Sequence, residues 1–354
     1  MHAFTFQSLP VRVRFGTGMI ASLPEEATAL GIHKALLIST PVQSDLAQKV
    51  AHAHGSLFGA LFTDAQMHTP LDVTERALQI VENEKIDGLI SIGGGSTTGL
   101  SKALALRTDL PQIAIPTTYA GSEATPILGE TKEGLKTTIR DMRVLPEKII
   151  YDVDLTMTLP VSLSMTSGLN AIAHAVEALY ARDANPIISM LAEDGIRTLA
   201  TALPIIKHDP HHQEARSLAL YGAWACGTCL GAVGMSIHHK LCHTLGGSFN
   251  LPHAETHAVL LAHSVAYNQK AAPEAMSRIA KALGTAHASA GLYALAKAIG
   301  APMTLQSIGM HEDDLERAAD LATANPYWNP RPIERGPILR LLQNAFCGSQ
   351  PKID

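Results

Sequence analysis

The sequence predicts an N-terminal α/β domain with a Rossmann-like parallel sheet, residues 1–155, and an all-α C-terminal domain, residues 156–354. With 354 residues, 46% of them apolar, the chain exceeds the size at which a single core usually stops growing. In the first part, short apolar runs alternate with longer helical patterns, which indicates βαβ units. After Asp154, strand-like runs nearly vanish and helical periodicity continues almost to the end.

The strands and helices of the first domain follow from these patterns. Strands are predicted at Ala35–Ser39, Gly88–Ile92 and Gln112–Ile115, where apolar residues follow one another. A helix is predicted from Leu71 to Glu84, because its apolar residues share one face. The domain boundary is expected at residues 152–156.

Composition and charge exclude several classes of partner. A formal net charge of −5 gives no basic surface for nucleic acid or an anionic membrane. We find neither a signal segment nor a long apolar run, so we expect a cytoplasmic protein without a membrane partner. The four cysteines are too few for a disulfide framework, and Cys226 and Cys229 are predicted to be buried thiols in a small-residue helix.

A glycine-rich turn lies between a predicted strand and a predicted helix. Gly93, Gly94, Gly95 and Ser96 follow the strand at Gly88–Ile92 directly. Glycines allow backbone N–H groups to approach a pyrophosphate, and a helix N-terminus favours the bound anion. A tight turn without a ligand is the alternative interpretation.

Further polar residues stand where the neighbouring predicted strands end, at the sheet edge where open α/β sheets bind ligands. The candidates for cofactor binding there are Ser39, Thr40, Thr117, Thr118, Ser122, Thr125 and Lys136. Ser39 and Thr40 end the first predicted strand with hydroxyls, where a carboxylate would select NADH over NADPH. The sequence therefore predicts use of NADH or NADPH with weak discrimination.

The second domain contains polar residues at helical spacing. Asn170 and His174 are four residues apart, as are His239 and His243, and His253 follows. A lone histidine is usually structural, but this joint spacing favours a functional cluster.

These motifs are similar to those of the iron-containing alcohol dehydrogenase family. The resemblance rests on the turn at residues 93–96, the string from Pro116 to Glu123, Lys136 and the histidines. It covers most of the chain and implies a dehydroquinate synthase-like fold. The chain resembles in particular the maleylacetate reductases, a branch of that family.

The resemblance also implies a set of site residues. The family pattern has Asp at position 170 and histidines at 174, 239 and 253 around one divalent metal, and His243 corresponds to a histidine beside the substrate. Asn170 replaces the Asp ligand here, and a neutral amide binds a divalent cation weakly. Three histidines could still form an open zinc site. Because Asn170, like Gly99 after the glycine turn, resembles the maleylacetate reductase version, we expect no metal.

The implied reaction reduces the carbon–carbon double bond of maleylacetate, a small dicarboxylate, to 3-oxoadipate in aromatic-compound catabolism. Hydride addition to the carbon β to the ketone develops an enolate, which hydrogen-bond donors can stabilise and protonate. The expected catalytic residues are His243, His253, His239, His174 and Asn170. The segment at residues 325–335 could bring Arg331 or Tyr327 to the substrate carboxylates, or could be a proline-rich connector.

Other functions remain open at this point. A metal-dependent alcohol or polyol dehydrogenase of the same family is the main alternative. A lyase of the dehydroquinate synthase type would need a metal and basic residues for a phosphorylated substrate, and a non-enzymatic nucleotide-binding module would not need the histidines. We expect a homodimer, although sequence patterns do not determine the oligomeric state.

Overall fold

A computed structural model describes residues 3–132 and 135–353, without the side chains of Leu135 and Lys136. The chain forms two compact units: one spans Leu9–Leu159, and the other comprises Pro160–Asp354 together with the N-terminal segment through Ser8.

The first unit is built on a parallel sheet. The strands of the described residues are β1 Arg12–Gly16, β2 Ala35–Ile38, β3 Phe58–Phe62, β4 Gly88–Gly93, β5 Gln112–Pro116, β6 Ile127–Lys132, β7 Leu135–Arg140 and β8 Lys148–Asp152. Six of them form one sheet in the order β1-β8-β5-β4-β2-β3 with all pairings parallel, and β6 and β7 form an antiparallel pair. Its helices are α1 Leu23–Thr28, α2 Ser44–Ala53, α3 Leu71–Asn83 and α4 Gly95–Thr108.

Side chains alternate along each strand, so this sheet has two apolar faces, and helices cover both of them. Leu37 of β2 packs with residues of α1 and α2 on one face. Leu36 and Ile38 pack with residues of α3 and α4 on the other. The predicted α/β fold with a Rossmann-like parallel sheet is confirmed.

All regular secondary structure in the described residues of the second unit is helical. Its helices are α5 Val161–Leu179, α6 Pro186–His208, α7 Gln213–Ala232, α8 Ile237–Phe249, α9 His253–Asn268, α10 Pro273–Leu283, α11 Ala288–Ile299, α12 Leu315–Ala324 and α13 Arg335–Phe346. Helix α5 is buried from Ser164 to Leu179 and packs against α6, α7 and α9. The predicted all-α domain is confirmed.

Small residues allow the helices of this unit to approach closely. A Cβ atom on Gly195 of α6 would lie 2.7 Å from Cys226 Sγ of α7. Cys226 and Cys229 are both buried free thiols, and burial raises the pKa of each. The expected close packing of this helix is confirmed.

No single helix among the described residues has the length and apolar character needed to cross a membrane, whereas α7 and α8 meet the criterion only as a pair bent by 96°.

A buried lysine fixes the chain that follows β5. Lys102 of α4 is 1% exposed, and its ammonium donates to the carbonyl oxygens of Ser122 at 2.6 Å, Thr125 at 2.7 Å and Ile127 at 2.9 Å. Burial lowers the pKa of Lys102 to about 7, an effect that the charge of Glu123 opposes. The segment from Ser122 to Ile127 is therefore held against α4.

We expect Lys102→Met to lower the free energy of unfolding by about 3 kcal/mol, because it leaves three carbonyl groups around a buried ammonium without their donor. Urea unfolding measures the change, with Lys132→Met at an exposed position of β6 as the control. An unchanged unfolding midpoint for Lys102→Met would contradict this account.

Candidate active site

The glycine turn adopts a conformation that larger residues would disturb. Gly93 has φ +147°, in the region that favours glycine, and a Cβ atom on Gly94 would lie 2.9 Å from Thr118 Cγ2. Gly95 begins α4, and a Cβ atom there would lie 3.8 Å from Ser122 Oγ; Ser96 lies in the first turn of the same helix. Backbone N–H groups of this turn have no partner within the helix, which suits an anionic ligand.

Neighbouring strands bring the predicted polar residues to one edge of the sheet. Strand β4 lies between β2 and β5. Ser39 and Thr40 follow β2 and Thr117 follows β5, so these residues flank Gly93 at the end of β4. Thr117 N donates to Gly93 O at 2.9 Å. Gln43, which sequence reasoning missed, donates from Nε2 to Thr117 Oγ1 at 2.7 Å and links the turn after β2 to the end of β5.

The hydroxyl groups at this edge differ in what they contact. Ser122 Oγ is buried and has no hydrogen-bond partner among the described residues. Thr125 Oγ1 donates to Ser122 O at 2.9 Å and lies 3.0 Å from Lys102 Nζ, so this hydroxyl supports the loop. The orphaned Ser122 hydroxyl beside a glycine turn and a helix N-terminus fits a nicotinamide dinucleotide. The Lys136 side chain lies outside the described residues.

Six histidines of the helical unit form what we term the histidine cluster: His174 of α5, His238, His239 and His243 of α8, and His253 and His257 of α9. Their rings are close to one another. The centroid distances are 5.0 Å for His174–His239, 5.0 Å for His239–His257, 4.8 Å for His238–His257, 4.5 Å for His253–His257 and 6.1 Å for His239–His243. All four predicted histidines belong to the cluster.

A buried carboxylate anchors the first hydrogen-bond chain of the cluster. Glu177 of α5 accepts the backbone N–H groups of Ser236 at 2.8 Å and His238 at 2.7 Å. His239 Nδ1 lies 2.7 Å from Glu177 Oε2, and a carboxylate only accepts, so this nitrogen carries a proton. The other ring nitrogen of His239, Nε2, lies 2.8 Å from His174 Nδ1. The chain runs from His174 through His239 to Glu177 and fixes the His239 ring with Nδ1 directed at the carboxylate.

A second chain is anchored by a serine. Ser264 Oγ donates to Leu260 O at 2.7 Å, so it accepts from His238 Nδ1 at 2.8 Å. His238 Nε2 consequently accepts from His257 Nδ1 at 2.9 Å. Burial lowers the pKa of His238 and His257 well below the usual value, which keeps both rings neutral. Nε2 of His257 remains an unprotonated, buried atom without a hydrogen-bond partner among the described residues.

The positions that hold metal in the family pattern include no charged ligand in this structure. Glu177 and His174 engage both ring nitrogens of His239, and Asn170 contributes a neutral Oδ1 that is buried without a hydrogen-bond partner among the described residues. In the part of the chain that the structure describes, the group of His, Cys, Asp or Glu with three donor atoms close enough for a metal is His238, Cys242 and His257. The nitrogens of that group are already bonded to each other.

His243 lies at the edge of the cluster, beside the proline-rich segment. Its Nδ1 is 3.1 Å from the hydroxyl of Tyr327, and both residues are half-buried. Burial raises the pKa of Tyr327, and the charge of Glu177 adds to the effect, so the hydroxyl stays protonated. Arg331 instead stacks 4.2 Å from the Tyr267 ring centroid and donates to Tyr267 O at 3.1 Å.

Sequence reasoning missed the residues that orient the cluster. Glu177 follows His174 by three residues on α5, and His257 follows His253 by four on α9, so helical spacing could have indicated both. Ser264 carries no such signal, because its role depends on which helix meets α9.

Comparisons with known proteins agree with this fold. The model of the iron-containing alcohol dehydrogenases matches residues 10–153, and that of the C-terminal part of the same family matches residues 164–346. The chain is similar to maleylacetate reductase from Rhizobium sp. (strain MTP-10005), with 55% identity over 99% of this chain and 100% of that protein. Maleylacetate reductase from Burkholderia cepacia is 52% identical over 99% and 100%. The crystal structure of maleylacetate reductase from Agrobacterium tumefaciens has a TM-score of 0.95 and 55% identity, covering 99% of this chain and 100% of that one.

The chain belongs to the iron-containing alcohol dehydrogenase family. Its resemblance to the maleylacetate reductase branch is confirmed by relatives at 47–55% identity along nearly the whole chain.

We expect Glu177→Gln to lower the free energy of unfolding by about 2–4 kcal/mol, because the amide places N–H groups against the donors that Glu177 now accepts. Chemical denaturation measures this, and Glu274→Gln on the exposed side of α10 is the matched control. Equal stability of both variants would contradict the role of Glu177 as the anchor of α8.

Proposed function

We propose that this protein reduces maleylacetate to 3-oxoadipate with NADH or NADPH in the catabolism of aromatic compounds, and that it does so without a metal. The proposal rests on the residues that stand where the family pattern has its metal ligands. Asn170 offers no charge, and both nitrogens of His239 are held by Glu177 and His174.

An enone substrate explains why a metal is dispensable. Charge that develops on its ketone oxygen is delocalised through the conjugated system, so hydrogen-bond donors can stabilise the enolate. An unconjugated alcohol lacks this delocalisation, so a Lewis acid contributes more to stabilising its alkoxide. Loss of the anionic ligand and a conjugated substrate are thus chemically consistent.

His243 and Tyr327 are the proposed donors to the substrate. His243 Nδ1 and the Tyr327 hydroxyl are hydrogen-bonded at 3.1 Å, so a proton that one of them gives to the substrate can be replaced from the other. His253, His239, His174 and Asn170 are proposed to complete the polar lining. The chain anchored by Glu177 fixes the orientation of His239, one helical turn before His243.

The cofactor is proposed to bind at the sheet edge of the first unit. Gly93, Gly94, Gly95 and Ser96 would hold its pyrophosphate, with Ser39, Thr40, Thr117, Thr118, Ser122, Thr125 and Lys136 around them. When bound, reduced nicotinamide supplies the hydride. Thr40 follows the end of β2 by two residues and has no carboxylate or cation beside it in sequence, so we expect activity with both NADH and NADPH.

We further propose a cytoplasmic homodimer that acts on a small dicarboxylate, without nucleic-acid or membrane partners. The support is the net charge of −5, which offers no basic surface for either polyanion.

Exhaustive chelation is expected to leave NADH and NADPH oxidation with maleylacetate unchanged, with 3-oxoadipate as the product. Metal analysis of the same sample and mass spectrometry of the product provide the two readouts. Asn170→Asp should raise the affinity for a divalent cation, because it restores the missing charge. A stoichiometric ion whose removal abolishes activity and whose return restores it would instead favour a metal-dependent dehydrogenase.

His243→Ala should lower kcat by roughly 10²-fold, the usual scale for loss of an acid–base partner, with cofactor Kd nearly unchanged. Steady-state kinetics and cofactor titration separate the two effects, and His311→Ala at an exposed position is the control. Near-normal kcat in His243→Ala would exclude His243 from the reaction, and a parallel loss of cofactor binding would indicate a structural role.

A further inference from the structure

Lys240 is a partly buried cation on α8. Its ammonium group has no hydrogen bond or ion pair within the described part of the chain. Its Nζ atom is 5.6 Å from the centroid of the Tyr327 ring. A protein rarely shields an ammonium group from water without a compensating acceptor, because the desolvated charge costs free energy.

Other shielded cations of this chain show the usual arrangement. Lys102 donates to several carbonyl oxygens, and Lys148 donates to the buried carboxylate of Glu26. Arg331, the cation expected from sequence to meet a substrate carboxylate, is engaged by the ring and carbonyl of Tyr267. The charged groups of these residues are already occupied, whereas the ammonium of Lys240 is available to bind an anion.

The position of Lys240 connects this capacity to the proposed donors. Lys240 precedes His243 by three residues on α8, so the two side chains are neighbours on the helix surface. Tyr327 joins them, because its ring contacts Lys240 and its hydroxyl bonds His243. An anion bound by Lys240 therefore lies next to the His243–Tyr327 pair.

We propose that Lys240 binds the substrate carboxylate on the ketone side of the molecule, an inference that rests on the proposed function. In maleylacetate, a single methylene group separates that carboxylate from the ketone, so adjacent protein donors can meet both groups. The other carboxylate is attached to the carbon that accepts hydride. Lys240 binds the anion while His243 and Tyr327 donate to the ketone oxygen, which makes Lys240 a specificity-determining residue for a 4-oxo dicarboxylate.

The test compares maleylacetate with 4-oxopent-2-enoate, which keeps the enone and carries a methyl group in place of the acetate arm. Lys240→Met should lower kcat/KM for maleylacetate by about 10²-fold, mainly through KM, because a desolvated ion pair is lost. For the methyl ketone the change should stay below about threefold, because the carboxylate concerned is absent. Lys240→Arg should retain most of the preference, and Lys281→Met on the exposed side of α10 is the control.

Two results would overturn the proposal: equal losses with both substrates, or no loss with maleylacetate. Failure of the wild-type protein to reduce maleylacetate would contradict the proposed function separately. Binding of 3-oxoadipate and 4-oxopentanoate, measured by calorimetry without turnover, then tests Lys240 alone. Weaker binding of the dicarboxylate only, in Lys240→Met, supports the site, and unchanged binding contradicts it.

Discussion

The geometry of the histidine cluster depends on the buried carboxylate of Glu177. This group accepts backbone N–H groups at the start of α8 and the Nδ1 proton of His239. One side chain of α5 therefore sets both where α8 begins and which tautomer His239 adopts. Because α8 also carries Lys240 and His243, the anchor that orients the buried imidazoles positions the proposed substrate contacts as well.

Two hydrogen-bond chains order the imidazoles of the histidine cluster. In metal sites, partners of the ligands fix ring orientation, and the ion then gathers the remaining nitrogens. Here Glu177 and Ser264 fix the direction of each chain, and His174 and His257 occupy the outer ends. A buried polar network is stabilising only when its groups are satisfied, so the unpartnered atoms Asn170 Oδ1 and His257 Nε2 mark places suited to a ligand or water.

Much of the fold could be predicted from the sequence because periodicity reports burial directly. The predicted strand Gln112–Ile115 starts with β5 and ends one residue earlier than β5 does. The helix predicted from Leu71 to Glu84 ends one residue later than α3 does. Helical spacing also identified members of the cluster. The hydrogen-bond partners of Glu177 could not be predicted from the sequence, because they lie far away along the chain. Its partner His238, for example, is 61 positions away. Arg331 shows the same limit, since only the tertiary structure pairs it with Tyr267.

The most direct test of the account is the tautomeric state of the cluster in the unliganded protein. Long-range ¹H–¹⁵N correlation spectra of protein labelled at histidine distinguish a protonated Nδ1 from a protonated Nε2. We expect a protonated Nδ1 in His238, His239 and His257, and we expect Glu177→Gln to alter the signals of His239 and His174. Protonation of His239 or His238 at Nε2 alone would contradict the hydrogen-bond chains anchored by Glu177 and Ser264.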